Sequence, residues 1–246
     1  MLGLRILVHS IKLVVRNWRV ALRISSPLIA VLLVFGVFMR GSIAGVATLG
    51  PDEGVSWLAI GVYLIAQTFS GTWVAVAWHR YVLQEDDSGA IIPSFMGRRV
   101  GAYFMQGVLI AIIVGIVTVV AAAALFFAFS GLNSLVLAIV LPLVIALVGL
   151  WLFYRVSPAL PAVAIEEALS IGDAWRATRP YSGSILVLVI AMAAASGVFG
   201  ALVELTVESS TYLYLVLVMV QTWISMMVGI SVLTTIYGVV VENRDF

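Results

Sequence analysis

Cysteine is absent from all 246 residues. Disulfides, thiolate metal sites and cysteine nucleophiles are therefore excluded. Charge is scarce as well. Asp, Glu, Lys and Arg make up 10% of the chain, where a soluble domain carries about a quarter. The net charge of +1 supplies no field to attract nucleic acid or acidic substrates, and no nucleic-acid partner is expected. Histidine occurs only at His9 and His79, so His79 reads as an interfacial residue rather than a ligand or proton carrier. Enzyme signatures are missing: there is no phosphate loop ending in Lys-Ser/Thr, no His-Glu-x-x-His and no Gly-x-Ser-x-Gly. No enzymatic activity, cofactor or metal is expected.

Apolar sequence is abundant. Hydrophobic residues make up 63% of the chain and its mean hydropathy is +1.18. Too little polar surface remains to cover a water-soluble globule. The apolar runs are continuous, where a transmembrane barrel would alternate over segments of about ten residues. The fold class is therefore all-α, a polytopic transmembrane helical bundle.

Residues 1–18 read as an interfacial amphipathic helix. Leu4, Leu7, Val8, Ile11 and Val15 fall on one side, with Arg5, His9, Lys12, Arg16 and Arg19 largely opposite. The apolar core begins only near Ser25, later than a signal peptide would place it. Six spans are expected at about 20–39, 57–83, 100–129, 132–154, 184–205 and 212–241, forming one integral membrane domain over 1–246. Pro27 lies near the inner end of the first, and Pro142 should kink the fourth. With the N-terminus inside, twelve of thirteen basic residues fall on the inner side and Arg40 alone outside. That is the distribution of a protein of the bacterial cytoplasmic (inner) membrane with both termini cytoplasmic. Arg40, Asp52, Glu53 and Glu208 carry the charge of the short outer loops.

Two inner loops hold the chemistry. The first leaves the second span through Trp78, His79 and Arg80 and re-enters at Arg98 and Arg99. Trp73, Trp78 and Tyr81 read as interfacial anchors, and Arg80, Arg98 and Arg99 either bind an anionic headgroup or only set topology. The second loop begins at Arg155. Pro158 and Pro161 interrupt the helix, and an amphipathic pattern starts at Val163, with Ile165, Ala168, Leu169, Gly172 and Trp175 on one side. Ser170 to Asp173 matches a capping box, and Pro180 ends the helix, so 155–180 should hold a pair of short interfacial helices. Both loops start with Arg after an aromatic residue and return through Arg and Tyr, which either marks a duplicated hairpin or reflects what any inner loop contains.

No Asp, Glu, Lys or Arg lies near the middle of a span, which argues against a proton-coupled pump. Gln67, Gln106 and Gln221 are expected to bond across helices. Gly107-Ala111-Gly115, Ala193-Gly197-Ala201 and Ser196-Gly200 are spaced for close helix approach, within the chain or in a second copy.

The basic amphipathic start, Trp18 ahead of a proline-containing span, and the loop SPALPAVAIEEALSIGDAWRAT resemble an uncharacterised bacterial family of six-helix inner-membrane proteins. In that family an Ala-Trp-x-x-Thr/Ser signature follows the fourth span; here it falls on Ala174, Trp175 and Thr178. The family is similar to the membrane domain that precedes the catalytic domain in some glycerophosphodiester phosphodiesterases. With no such domain after Phe246, the resemblance implies a fold and a link to lipids or membrane partners, not that activity. The expected function is non-enzymatic. The inner face would bind membrane lipids, a membrane protein partner or another copy of the chain. Arg80, Arg98, Arg99, Arg155, Arg176 and Arg179 would make the contacts, with Trp78 and Trp175 as anchors. The alternative is a transporter or flippase-like carrier of a lipid-like or apolar solute.

Overall fold

The structure, a computed structural model, describes residues 2–46, 57–129, 136–206 and 210–244. Every regular element among them is helical. The helices are α1 (Leu2–Arg16), α2 (Trp18–Ile24), α3 (Ser26–Val46), α4 (Trp57–Gln84), α5 (Gly97–Phe129), α6 (Leu141–Val156), α7 (Ala159–Ala164), α8 (Ile171–Ala177), α9 (Ser182–Glu204) and α10 (Thr211–Val240). A π-helical stretch, Val136–Val140, leads into α6, and a 3₁₀ turn, Arg179–Tyr181, leads into α9. Five helical segments are long and apolar enough to cross a membrane: Trp57–Gln84, Gly97–Phe129, Ala138–Val156, Arg179–Glu204 and Tyr212–Val240. Their surfaces agree with that. Val34, Val37, Ile65, Val119 and Phe127 are exposed, while Ser10, Ser25, Thr178, Ser231 and Thr235 are buried. Such exposed apolar surface suits hydrocarbon as solvent, and the architecture is that of a helical membrane protein.

The first expected span is not one straight helix. α2 and the apolar part of α3 pass the length and hydropathy test only together, bent by 67° at Ser25. Pro27 accounts for the break: it has no N–H to continue the helical ladder, and its ring excludes the preceding carbonyl. It sits in the first turn of α3, where a missing donor leaves no bond unmade. Pro142 lies inside the apolar segment Ala138–Val156, where the π-helical stretch gives way to α6. Residues 132–135 of the fourth expected span lie outside the described residues. So do Asp52, Glu53 and Glu208 of the outer loops, and the side chain of Arg40.

The contacts divide the chain into two units. One comprises Met1–Ser10, Gly97–Ala194 and Val232–Phe246; the other comprises Ile11–Met96 and Ala195–Ser231. In the first, α5 packs on α6 and α7, and α6 on α8. Gly3 of α1 lies so close to α9 that a Cβ there would collide with the Ser184 carbonyl oxygen. The Ser10 hydroxyl donates to Thr235 Oγ1 of α10 at 3.0 Å. In the second, α3 packs on α4, with Phe35 and Tyr63 stacked at 3.6 Å between ring centroids. Gly36 and Gly71 receive the side chains of Met219 and Met226 from α10. Trp223 Nε1 donates to Ser25 Oγ at 2.7 Å and so holds the bend from outside the bent pair.

The expected small-residue stripes are not where helices approach. A Cβ on Gly115 or Gly197 would meet nothing within 4 Å, and one on Gly107 only the tip of Leu160; Gly200 is the exception, where a Cβ would meet the Gln221 amide of α10 at 3.4 Å. Nor do Gln67, Gln106 and Gln221 bond across helices among the described residues. Intramembrane hydroxyls turn inward to their own backbone, as Thr68 does to the Leu64 carbonyl at 2.7 Å. Spacing identifies residues able to approach, but not which of them face a neighbour.

Two glycine substitutions separate packing from propensity. Gly3→Ala should lower the melting temperature in lipid discs, because backbone carbonyl, not a flexible side chain, fills the space. Gly61→Ala, open within 4 Å, should be neutral or stabilising by up to about 1 kcal/mol. Equal melting of the two variants would refute the close contact of α1 with α9.

Candidate functional site

The second inner loop builds a site around one arginine. α6 ends at Val156 with Arg155 in its last turn, where a cation complements the helix dipole. Pro158 and Pro161 follow, and the chain makes only the short, buried α7 before it turns. The turn is made at Glu166, whose φ of +64° is in the left-handed region. Its carboxylate is gripped by the Arg99 fork, Nε to Oε1 at 2.8 Å and Nη2 to Oε2 at 2.9 Å. The amphipathic pattern expected from Val163 is therefore not one helix: α7 stops at Ala164 and α8 begins at Ile171. Ser170 caps α8 as expected, its hydroxyl accepting from the Asp173 N–H at 3.1 Å. The reciprocal half of the box differs, since the Asp173 carboxylate accepts from the Ser170 hydroxyl instead of from its backbone. α8 ends at Thr178, and Pro180 lies in the 3₁₀ turn that starts the next helix.

α8 returns Trp175 and Thr178 onto Arg155. The Arg155 guanidinium carbon lies 3.9 Å from the Trp175 ring centroid and 5.4 Å from that of Trp151. The two indoles meet edge to face at 6.1 Å. Nε donates to Thr178 Oγ1 at 2.9 Å, Nη2 to the Trp175 carbonyl at 2.9 Å, and Nη1 to Ser182 Oγ at 3.3 Å. The Thr178 hydroxyl lies 2.8 Å from the Arg155 carbonyl and 2.9 Å from that of Ala174, so its own hydrogen stays within the loop. Trp151 Nε1 donates to the Ser182 carbonyl at 3.1 Å. Arg155 is only 4% exposed. Among the described residues no carboxylate pairs with it. A like charge, Arg179, acts on it. Three of a guanidinium's five N–H groups are used, all on neutral acceptors. The result is a desolvated cation in an aromatic slot, with no compensating charge among the described residues.

The other predicted residues divide by what they touch. Arg176 pairs with Asp173, and Arg99 with Glu166. Arg98, in the first turn of α5, and Arg179 are exposed, with no carboxylate at ion-pair distance among the described residues. Trp175 is 37% exposed and forms one wall of the slot. Arg80 and Trp78 belong to the other unit. There Arg80 Nε binds Asp86 at 2.9 Å, and Arg23 of α2 pairs with Asp87. Trp78 is not an interfacial anchor: it and His79 are fully buried. Trp73, partly exposed, donates to the Ser94 carbonyl at 3.4 Å. The loops also differ locally, since no helix forms between Gln84 and Gly97 while the second loop holds α7 and α8. Sequence reasoning gave no role to Thr178, Trp151 or Ser182. The first two carried a signal: Trp151 lies one helical turn before Arg155, and Thr178 one turn after Trp175.

Two measurements test the loop. Thr178→Val leaves a charged donor without its acceptor and should cost about 1–3 kcal/mol. Arg155→Lys keeps the charge but loses fork and stacking, and should also expose 157–181 to protease. Wild-type melting in both variants would refute the slot. The second concerns pH. The Ser170 hydroxyl and the Arg176 guanidinium hold the Asp173 carboxyl below its usual range. The Gly89 N–H and then Arg23 do the same for Asp87. A depressed pKa stabilises the fold above the ordinary carboxylate value, about 4, and that contribution is lost as pH falls through the depressed value. Amide protection in 171–177, corrected for intrinsic exchange, should therefore survive at pH 5, fall below about pH 4, and lose this dependence in Asp173→Asn.

Comparison of the chain with family models, with curated proteins and with solved structures finds no match.

Proposed function

We propose that this chain is a non-enzymatic, six-span protein of the bacterial cytoplasmic membrane that binds the phosphate of an anionic phospholipid at its second inner loop. In this reading the bent pair α2–α3 forms the first span, and both termini are cytoplasmic. The inner-side bias of the basic residues supports that orientation. One observation carries the function: Arg155 is buried among indoles and neutral acceptors with no carboxylate of its own. A buried cation is stable only when compensated. A lipid phosphate at the membrane surface would supply the missing charge, with exposed Arg179 and Arg98 to attract it. The resemblance to the membrane domain of some glycerophosphodiester phosphodiesterases suits a phosphate-bearing, lipid-related ligand. Arg80, Arg99 and Arg176 serve as internal ties in this reading, and Trp175 is the anchor. The carrier alternative has less behind it, because Pro142 sits at a helix start and the two inner loops differ in structure.

Native mass spectrometry of protein extracted in polymer-bounded lipid discs tests the proposal. The wild type should retain phospholipid. Arg98→Gln combined with Arg179→Gln, both at exposed positions, should lower that retention by roughly tenfold or more, at about 1 kcal/mol per surface arginine. Unchanged retention with normal insertion would overturn the headgroup site. A stoichiometric protein with only bulk lipid would assign the inner loops to a partner instead.

A further inference from the structure

α1 presents three faces, where the sequence pattern shows two. At 3.6 residues per turn, Gly3, Ile6, Ser10 and Val14 share one face, and all four are buried. Leu4, Val8, Ile11 and Val15 form a second face, between 41% and 63% exposed. Lys12 and Arg16 are exposed on a third, together with Arg5. The rotation of α1 about its axis is set by its buried face. Gly3 lies against the Ser184 carbonyl with no room for a side chain, and Ser10 is hydrogen-bonded to Thr235. The apolar ridge and the basic ridge therefore point outward side by side, about a quarter turn apart.

We propose that the outer faces of α1 are a docking surface for one occupant, an anionic phospholipid monolayer. Leu4, Val8, Ile11 and Val15 enter the acyl boundary, while Lys12 and Arg16 lie in the phosphate layer. Charge selects this occupant. An apolar ridge edged by cations matches acyl chains beneath anionic headgroups. A second copy docked through the same ridge would bring its own Lys12 and Arg16 against the first pair. The proposal rests on α1 alone and stands apart from the headgroup site of the second inner loop.

The absence of cysteine makes the test direct, because single cysteines can be introduced with no background thiol. Nitroxide labels at Val8→Cys, Ile11→Cys, Lys12→Cys and Arg16→Cys are read in discs of phosphatidylcholine with and without phosphatidylglycerol. With phosphatidylglycerol, labels at 8 and 11 should collide more with oxygen than with a water-soluble nickel chelate, and labels at 12 and 16 the reverse. Omitting it should shift labels 8 and 11 toward the chelate. Chelate-rich collisions at all four positions would overturn the membrane seat. Low collisions with both reagents at 8 and 11 would show protein covering the ridge and would overturn the lipid assignment. Identical profiles in the two lipids would overturn the requirement for anionic charge. Label profiles report α1, and phospholipid retention reports the second inner loop, so failure here and failure of the headgroup site are read apart.

Discussion

A guanidinium removed from water needs either an opposite charge or a full set of hydrogen bonds, and among the described residues Arg155 has part of the second and none of the first. That requirement organises the second inner loop. Thr178, the Trp175 carbonyl and Ser182 lie 20 to 27 residues beyond Arg155 in sequence, so the intervening chain must turn back to satisfy it. The two prolines stop α6 from running on, the left-handed turn at Glu166 reverses direction, and the Ser170 cap restarts a helix at the phase that delivers Trp175 and Thr178 together. Each device is local and modest. Their common result is a cation held between indoles, whose stacking compensates part of the lost hydration. Ala174, Trp175 and Thr178 then have a shared reason to occur at their spacing. Ala174, fully buried, leaves room and offers its carbonyl to Thr178, while Trp175 and Thr178 receive the arginine.

The arginines of the inner face differ in what answers them. Asp86 and Asp87 answer Arg80 and Arg23, Glu166 of the second loop answers Arg99 of the first, and Asp173 answers Arg176. Arg155 has no such partner among the described residues. An arginine count treats all of these residues alike. Only their partners separate a tie that stabilises the loop from a charge left to act on something else.

Within the spans the same logic runs through shape. Hydrocarbon offers no hydrophobic drive to bring helices together, so contact depends on close fit and on the few polar groups that find one another. Gly3, Gly36 and Gly71 each accept a neighbour that a methyl group would displace. Ser10 with Thr235, and Ser25 with Trp223, add directional bonds. Gly115 and Gly197 of the obvious four-residue stripes do neither, because a stripe states only that one side of a helix is small.

Composition alone determined that this chain is helical and built for a membrane, because 63% apolar residues in unbroken runs have no other stable arrangement. Local chemistry also set the Ser170 cap, the interruption at Pro158 and Pro161, and the amphipathic start, since each depends on neighbours within one or two helical turns. The tertiary structure decided what lies beyond that range. It decided that Arg155 is buried while Arg98 and Arg179 stay exposed, and that Trp78 and His79 are core and not surface. It also decided that α1 turns Ile6 and Ser10 inward, and that Pro27 marks a 67° bend. A side chain's role follows from what faces it across space, and in a chain of near-uniform apolar pattern the sequence carries little record of which faces meet.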